Sequence, residues 1–281
     1  MQTSPSTPGT MRVALRHAYR GQVPEEGRDR RCRVAWWACY RIDRGSARVR
    51  MAGEEVRLAP GAWVVLPPAV ERLQMFSADA RICSVNLVAE WSDGRPLLDV
   101  AAGVQWPQAP ALDRAVAGLL RASRPLFRVV DGHLQRRSGS VPQRLHAEAA
   151  CLRFAAVWYG LPIEQGIAAR PAQLTDERVA RALALLDPHA VGRRVPYPQL
   201  RQACGLARAQ IDRLVRAASG RSPKQLLDER ALGGAQELLC AGDTPIKAIA
   251  QRFGFTDTAH FTRWFSTRVG RSPAAFRRDP G

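Results

Sequence analysis

IKAIAQRFGFTDTAHFTRWF (246–265) holds two helical patterns separated by a sharp break. Ile246, Ile249, Ala250 and Phe253 recur at three- and four-residue spacing, the mark of one buried helix face. Thr244 followed by Pro245 predicts an N-cap with proline at the first helical position. Gly254 predicts the end of that helix, and Asp257 the cap of the next. In the second helix Phe261, Trp264 and Phe265 turn inward, while Thr258, Ala259, Thr262 and Arg263 turn outward. A short brace followed by a protruding helix is the shape that enters a DNA major groove about 12 Å wide. An exposed guanidinium such as Arg263 can bond both acceptors of a guanine edge, worth roughly 1–3 kcal/mol of discrimination. His260 reads as a phosphate-contacting or packing group rather than a base reader.

The unit is duplicated. Gly-Arg-Ser-Pro closes this stretch at 270–273 and also stands at 220–223. At an offset of 50, Ile211 matches Phe261, Arg213 matches Arg263, Val215 matches Phe265 and Gly220 matches Gly270. The first copy has its brace at 198–204 (PQLRQAC) and its second helix from Ala207 to about Ala218. Arg208, Ala209, Asp212, Arg213 and Arg216 form the outward face of that helix. Between the copies, KQLLDERALGGAQELLCAG (224–242) reads as a rigid connecting helix. Gly233-Gly234 inside it costs about 1 kcal/mol per glycine relative to alanine, with no reason visible in the sequence. Each GRSP reads as punctuation: the glycine ends one helix and Ser-Pro starts another.

Upstream the text changes character. Residues 12–105 read as short strands: RVAWWACYRI (33–42), SARVRMAG (46–53), EEVRLAPGAWVVLPP (54–68) and ARICSVNLVAE (80–90). Val49 and Met51 alternate with Arg48 and Arg50, the period of a half-buried strand, and many short strands predict a barrel or sandwich. Helical spacing begins after Pro110, at 111–126 and 141–160. Leu145, Ala149, Leu152, Ala156 and Tyr159 predict the buried stripe of the second helix, with Gly160 as its cap. A Pro/Gly-richer stretch, 161–173, reads as a linker.

Net charge is +17, which favours an anionic partner, nucleic acid first. All but two of the 42 Lys/Arg are arginine, a skew that reflects coding composition as well as phosphate contacts. Residues 171–281 carry 18 Lys/Arg against 10 Asp/Glu, so the excess is spread over both halves and locates no site. The six cysteines form no C-x-x-C pair and are expected as buried thiols. No histidines stand at metal-ligand spacing, and no cofactor is expected. No apolar run approaches membrane-spanning length and MQTSPSTPGT (1–10) lacks a signal-peptide core, so the expectation is a cytoplasmic protein.

The run from 171 to 281 resembles the DNA-binding domain of the AraC/XylS family of bacterial transcription regulators. GRSPKQLLDERALGGAQELL, IKAIAQRFGFTDTAHFTRWF and GRSPAAFR carry the likeness. It implies two helix-turn-helix modules that place their second helices in successive major grooves. It also implies base reading by Ala209, Asp212 and Arg213 in one module, and by Thr258, Ala259, Thr262 and Arg263 in the other. The first module departs from the pattern. Ala207 stands where the family has Ser or Thr, losing a cap worth about 1 kcal/mol. Ala209 is too short for base hydrogen bonds, and Asp212 would repel phosphate and accept only from a cytosine amino group. This module is expected to read fewer bases.

The first half resembles the cupin-like effector domain of such regulators over SARVRMAGEEVRLAPGAWVVLPPAVE (46–71). Pro68-Ala69-Val70-Glu71 lacks the histidines of metal-binding cupins, so metal-dependent catalysis is not expected. The fold expected is two-domain α+β: a cupin-like β-barrel with following helices, then an all-α domain with two helix-turn-helix modules. The expected boundaries are an arm at 1–11, an effector domain at 12–109, a helical dimerisation segment at 110–160, a linker at 161–173 and a DNA-binding domain at 174–281. Arg33, Trp36, Tyr40, Arg48, Trp63 and Glu71 are the candidate effector contacts. Core filling is the rival reading for the aromatics. By resemblance the protein is a homodimeric, non-enzymatic regulator contacting double-stranded DNA and RNA polymerase, an activator before a repressor. Two alternatives stay open: a first half that binds a partner protein or only dimerises, and a cupin enzyme with a DNA-binding appendage.

Overall fold

The computed structural model describes residues 11–91, 95–130, 133–137, 139–170, 177–186, 194–241 and 244–278. Its first half is a pair of antiparallel sheets. One contains β1 (Met11–Gln22), β3 (Trp37–Arg44), β6 (Trp63–Leu66), β8 (Arg81–Trp91) and β9 (Val104–Trp106), in the order β1-β8-β3-β6-β9. The other contains β2 (Asp29–Cys32), β4 (Ala47–Met51), β5 (Glu54–Leu58) and β7 (Arg72–Phe76), in the order β2-β7-β4-β5. A short helix, α1 (Glu25–Arg28), precedes β2.

Two helices, α2 (Pro110–Ser123) and α3 (Val141–Glu164), cover the outer face of the five-stranded sheet. This covering explains the sequence pattern. Successive strand side chains point to opposite faces. Trp37, Cys39, Trp63, Val65, Val85 and Leu87 meet α2 and α3, whereas Ala38, Tyr40, Ile42, Val64 and Leu66 fill the space between the sheets. WACYRI and WVVL are apolar runs because both faces are covered. In β4, by contrast, Arg48 and Arg50 face solvent and Val49 and Met51 are buried.

Several expectations are corrected here. The strand expected over 33–42 begins only at Trp37. Helix 111–126 ends its α-helical part at Ser123 and finishes in a 3-10 turn at Arg124–Leu126. A hairpin of β10 (Phe127–Val130) and β11 (His133–Arg136) interrupts the expected helical run. Gly160 does not end α3; the left-handed turn falls at Gly166, with φ +82°, so Leu161–Glu164 belong to the helix and not to a linker. Met11 of the expected arm already pairs with Trp91, and residues 1–10 lie outside the described residues.

The buried stripe of α3 is also corrected. Leu145 is 64% exposed and Leu152 51% exposed, and Ala149 and Ala156 are exposed too. Ala147, Ala150, Cys151, Phe154, Ala155 and Trp158 face the sheet instead. The helix is apolar on two faces, and the face with the larger rings covers more sheet surface. Trp158 seals against Trp37 in an edge-to-face contact with centroids 5.0 Å apart.

Among the described residues beyond 176, all regular structure is helical: α4 (Glu177–Leu185), α5 (Tyr197–Cys204), α6 (Arg208–Ser219), α7 (Pro223–Ala241), α8 (Ile246–Arg252), α9 (Thr258–Val269) and α10 (Pro273–Arg278). The five cysteines whose side chains are described, Cys32, Cys39, Cys83, Cys151 and Cys204, are buried thiols outside any disulfide, and Cys204 donates to the Arg178 carbonyl at 3.4 Å. Burial holds the Cys39, Cys83 and Cys151 thiols above the usual range, to about 12 for the latter two. Among the described residues no helix is long and apolar enough to cross a membrane.

The connecting helix α7 lies against the barrel at Gly233. A Cβ on Gly233 would meet the Ala35 side chain at 3.5 Å, an ordinary contact, so alanine would fit here and only a longer side chain would have to displace Ala35. One turn on, the buried Gln236 amide donates to the Arg33 carbonyl at 3.3 Å and accepts from the Ala35 N–H at 3.3 Å. These bonds answer backbone groups of a segment that has no strand partner there.

Candidate nucleic-acid interface

Each module is built as brace, turn and reading helix. In head one α5 ends at Gly205 (φ +65°) and α6 runs to Gly220 (φ +72°). In head two α8 leads through Gly254 (φ +75°) to α9, which ends at Gly270 (φ +82°). The α8 cap falls on Pro245 rather than Thr244, a shift of one residue; the Thr244 carbonyl accepts instead from Arg277. Both GRSP copies act as punctuation. Gly220 and Gly270 donate to the carbonyls of Arg216 and Ser266 at 2.8 Å, while Ser222 and Ser272 accept from the Gln225 and Ala275 N–H groups.

The reading helices start differently. Asp257 accepts from the N–H groups of Ala259 at 2.9 Å and His260 at 3.2 Å. These backbone bonds, with Arg263 nearby, hold its carboxyl below the usual range. At α6 the Gln210 side chain accepts from the Ala207 N–H at 2.8 Å, but alanine has no oxygen to return the bond. Only half of a capping box is present.

On α9, Ala259, His260 and Arg263 are exposed and Thr258 and Thr262 half-buried, while Phe261, Trp264 and Phe265 are buried. His260 sets its ring 5.3 Å from Phe255, edge to face, so packing occupies one side of it. On α6, Arg208, Ala209, Arg213 and Arg216 are exposed and Asp212 half-buried. Arg208 and Asp212 both lean on Tyr197, a brace residue without a role in the sequence pattern. A tyrosine opening a brace helix is the signal that would have pointed to it.

The candidate effector contacts do not converge. Tyr40 lies between the sheets and accepts from Gln74 at 3.0 Å. Trp63 faces α2 and donates to Asp113 at 2.8 Å. Arg48 stands on the solvent face, and Glu71 pairs with Arg31 at 3.1 Å on the surface. Only Arg33 and Trp36 meet, at a cavity of about 560 Å³ between barrel and α7. Arg12, Arg16, Arg221, Arg230 and Arg268 also line it. Glu90 and Glu229 reach it as well, and burial raises both carboxyls above the usual range against the pull of nearby arginines. Among the described residues no group of three His, Cys, Asp or Glu is placed to hold a metal ion.

Residues 200–279 match the helix-turn-helix domain family, which takes in both heads and α7. A segment of 107 residues is 28% identical to the HTH-type transcriptional activator RhaS of Yersinia pestis bv. Antiqua (strain Angola). Residues 200–279 of the chain therefore form a helix-turn-helix domain, the part in which the AraC/XylS resemblance lies. The match to RhaS takes in 37% of this chain and 39% of that relative, so it spans well under half of either protein. The whole chain shares its fold with ToxT from Vibrio cholerae O395, at TM-score 0.55 and 13% identity over 95% of this chain and 96% of that one. A second ToxT structure, of the unsaturated fatty acid bound wild-type protein from strain SCE256, aligns at TM-score 0.53 and 14% identity, covering 98% and 97%. The two-part α+β architecture is therefore shared with ToxT over nearly the full length of both chains.

Proposed function

We propose that the protein is a sequence-specific DNA-binding transcription regulator, an activator, whose two heads read successive major grooves. The observation that carries this reading is the pair of matched reading helices, each held out by a brace and each presenting an arginine, Arg213 and Arg263, at the same distance from its closing glycine. Selecting bound DNA from a random pool should return a bipartite site with half-contacts one helical turn apart. Arg263→Ala should weaken binding about tenfold or more and relax one half of that site; Arg213→Ala should do less. Sequence-independent binding would end the reading.

The effector site in this reading is the cavity between barrel and α7, not the barrel interior. Arginines outnumber acids around it, with Arg12 paired to Glu90 and Arg221 to Glu229, and this cationic excess with the Trp36 ring suits a carboxylate carried on an apolar body. ToxT, a fold neighbour, has been crystallised with an unsaturated fatty acid, a ligand of that class. A ligand there would touch both the barrel and the helix joining the heads, which couples occupancy to head placement. Such a device acts on RNA polymerase through DNA-bound protein and needs no catalysis.

Dimerisation through α3 completes the proposal. Leu145, Ala149, Leu152, Ala156, Tyr159 and Ile163 alternate four- and three-residue steps, the spacing of a two-helix coiled-coil seam; all but Tyr159, which is half-buried and packs against the sheet's core, are exposed. Glu148 and Arg153, both exposed and five residues apart, flank this seam where parallel partners exchange ion pairs. Leu145→Arg with Leu152→Arg should turn a dimer into a monomer in sedimentation, while leaving the melting temperature of the fold nearly unchanged.

A further inference from the structure

Tyr197 is the first residue of the brace helix α5, and the structure sets it against the front of the reading helix α6. Its hydroxyl donates to Asp212 Oδ1 at 2.8 Å. Its ring lies under the Arg208 guanidinium, 4.3 Å from carbon to centroid. Arg208 and Asp212 are four residues apart, so they project from one face of α6. Burial first, and the Asp212 carboxylate second, raise the Tyr197 phenol, which therefore remains a donor at neutral pH.

A lone carboxylate facing DNA is repelled by phosphate and free to change rotamer. One oxygen bonded to the Tyr197 hydroxyl fixes the rotamer and leaves the second oxygen as acceptor. Arg208, stacked on the same ring, offsets the repulsion by placing a cation beside it. Head two has no such unit, since its brace helix opens with the apolar Ile246 and its reading helix carries Thr262 where head one has Asp212.

We propose that Tyr197 determines the specificity of head one by fixing Asp212 and Arg208 as a single acceptor–cation unit that reads a cytosine amino group. A carboxylate is the side chain that accepts from that donor in the major groove. The inference rests on the DNA-binding reading above, and the experiment separates the two. The full-length protein, Tyr197→Phe, Asp212→Ala, the double variant and Arg263→Ala are each put through selection from a random DNA pool. Tyr197→Phe keeps the ring and its stacking and removes only the hydroxyl. It should relax preference at one base position by about three- to tenfold, the same position that Asp212→Ala relaxes. The half-site lost in Arg263→Ala should be unaffected, and the double variant should be no looser than Asp212→Ala alone. The proposal is overturned if Tyr197→Phe selects the wild-type site, or relaxes a position that Asp212→Ala leaves intact. It is overturned too if Asp212→Ala changes nothing while Arg263→Ala still damages binding; the DNA-binding reading then survives.

Discussion

Heads one and two share a plan and differ in what they are fastened to. The core of head two, from Ile249 through Phe261 and Phe265 to Phe276, is continuous with Val34, Trp36 and Val88 of the barrel. Trp36 meets Phe276 edge to face at 6.2 Å, and Phe276 meets Phe265 at 5.4 Å. Head one has a core of its own, with Leu200, Ile211, Val215 and Leu226 packed on Val179 and Leu183 of α4 and no barrel residue in the cluster. Duplication thus gave one head that is part of the barrel's core and one that hangs from α7. Their reading faces differ in the same sense: head two presents threonines and an arginine behind a full cap, whereas head one presents an alanine, a tethered aspartate and half a cap.

The largest test cuts each core at matched places. Phe265→Ala should cost about 3–5 kcal/mol and also loosen the barrel, because the cluster is shared. Ile211→Ala should cost about 2–5 kcal/mol in head one alone. Hydrogen exchange resolved by segment reads the difference: amides of 34–36 should lose protection in the first variant and keep it in the second. Equal protection in both would mean that the cores are not joined as described.

A smaller effect concerns the junction cavity and its pH dependence. Glu90 and Glu229 have folded-state pKa values above those of the unfolded chain. Their protonated forms favour the fold, so this contribution is present at low pH and is lost as pH rises from the ordinary carboxylate range through the folded values. The same protonation removes negative charge from the cavity. Decanoate should therefore bind more tightly to Glu229→Gln than to the parent protein at pH 7.5, by about three- to tenfold in calorimetry. No difference between them would remove Glu229 from the site.

The smallest test repairs the weaker head. Ala207→Ser supplies the missing cap oxygen and should add about 1 kcal/mol to head one, measured by chemical denaturation. If stability does not rise, the start of α6 is limited by something other than its cap.

Head two was legible because each of its signals agrees: periodicity, the Asp257 cap, the glycine stops and the aromatic inner face all point to one structure. Head one could be found only through its echo of head two, since Ala207 hides its start. In the barrel, alternation located β4, whose two faces differ, but could not orient β3 or β6, whose two faces are both covered. For that reason Tyr40 and Trp63 could be recognised as buried but not assigned to opposite sides of the sheet, Tyr40 between the sheets and Trp63 against α2. On α3 two apolar faces competed, and spacing alone could not reveal that the sheet takes Phe154 and Trp158 while Leu145 and Leu152 remain outside. Gln236 was invisible because its partners, Arg33 and Ala35, lie about 200 residues away in the chain, whereas Tyr197 left one sign, a tyrosine at the start of a brace helix.

The Gln236 bonds carry a consequence of their own. Both are made to main-chain atoms at positions 33 and 35, so the joint recognises where the chain passes and not which side chains it bears. Arg33 is free to change without disturbing it, and Ala35 is limited only in size by Gly233. Adding or deleting a single residue between Cys32 and Trp37 would move both main-chain groups out of reach at once. Drift at this joint is thus held in check by chain length more than by residue identity.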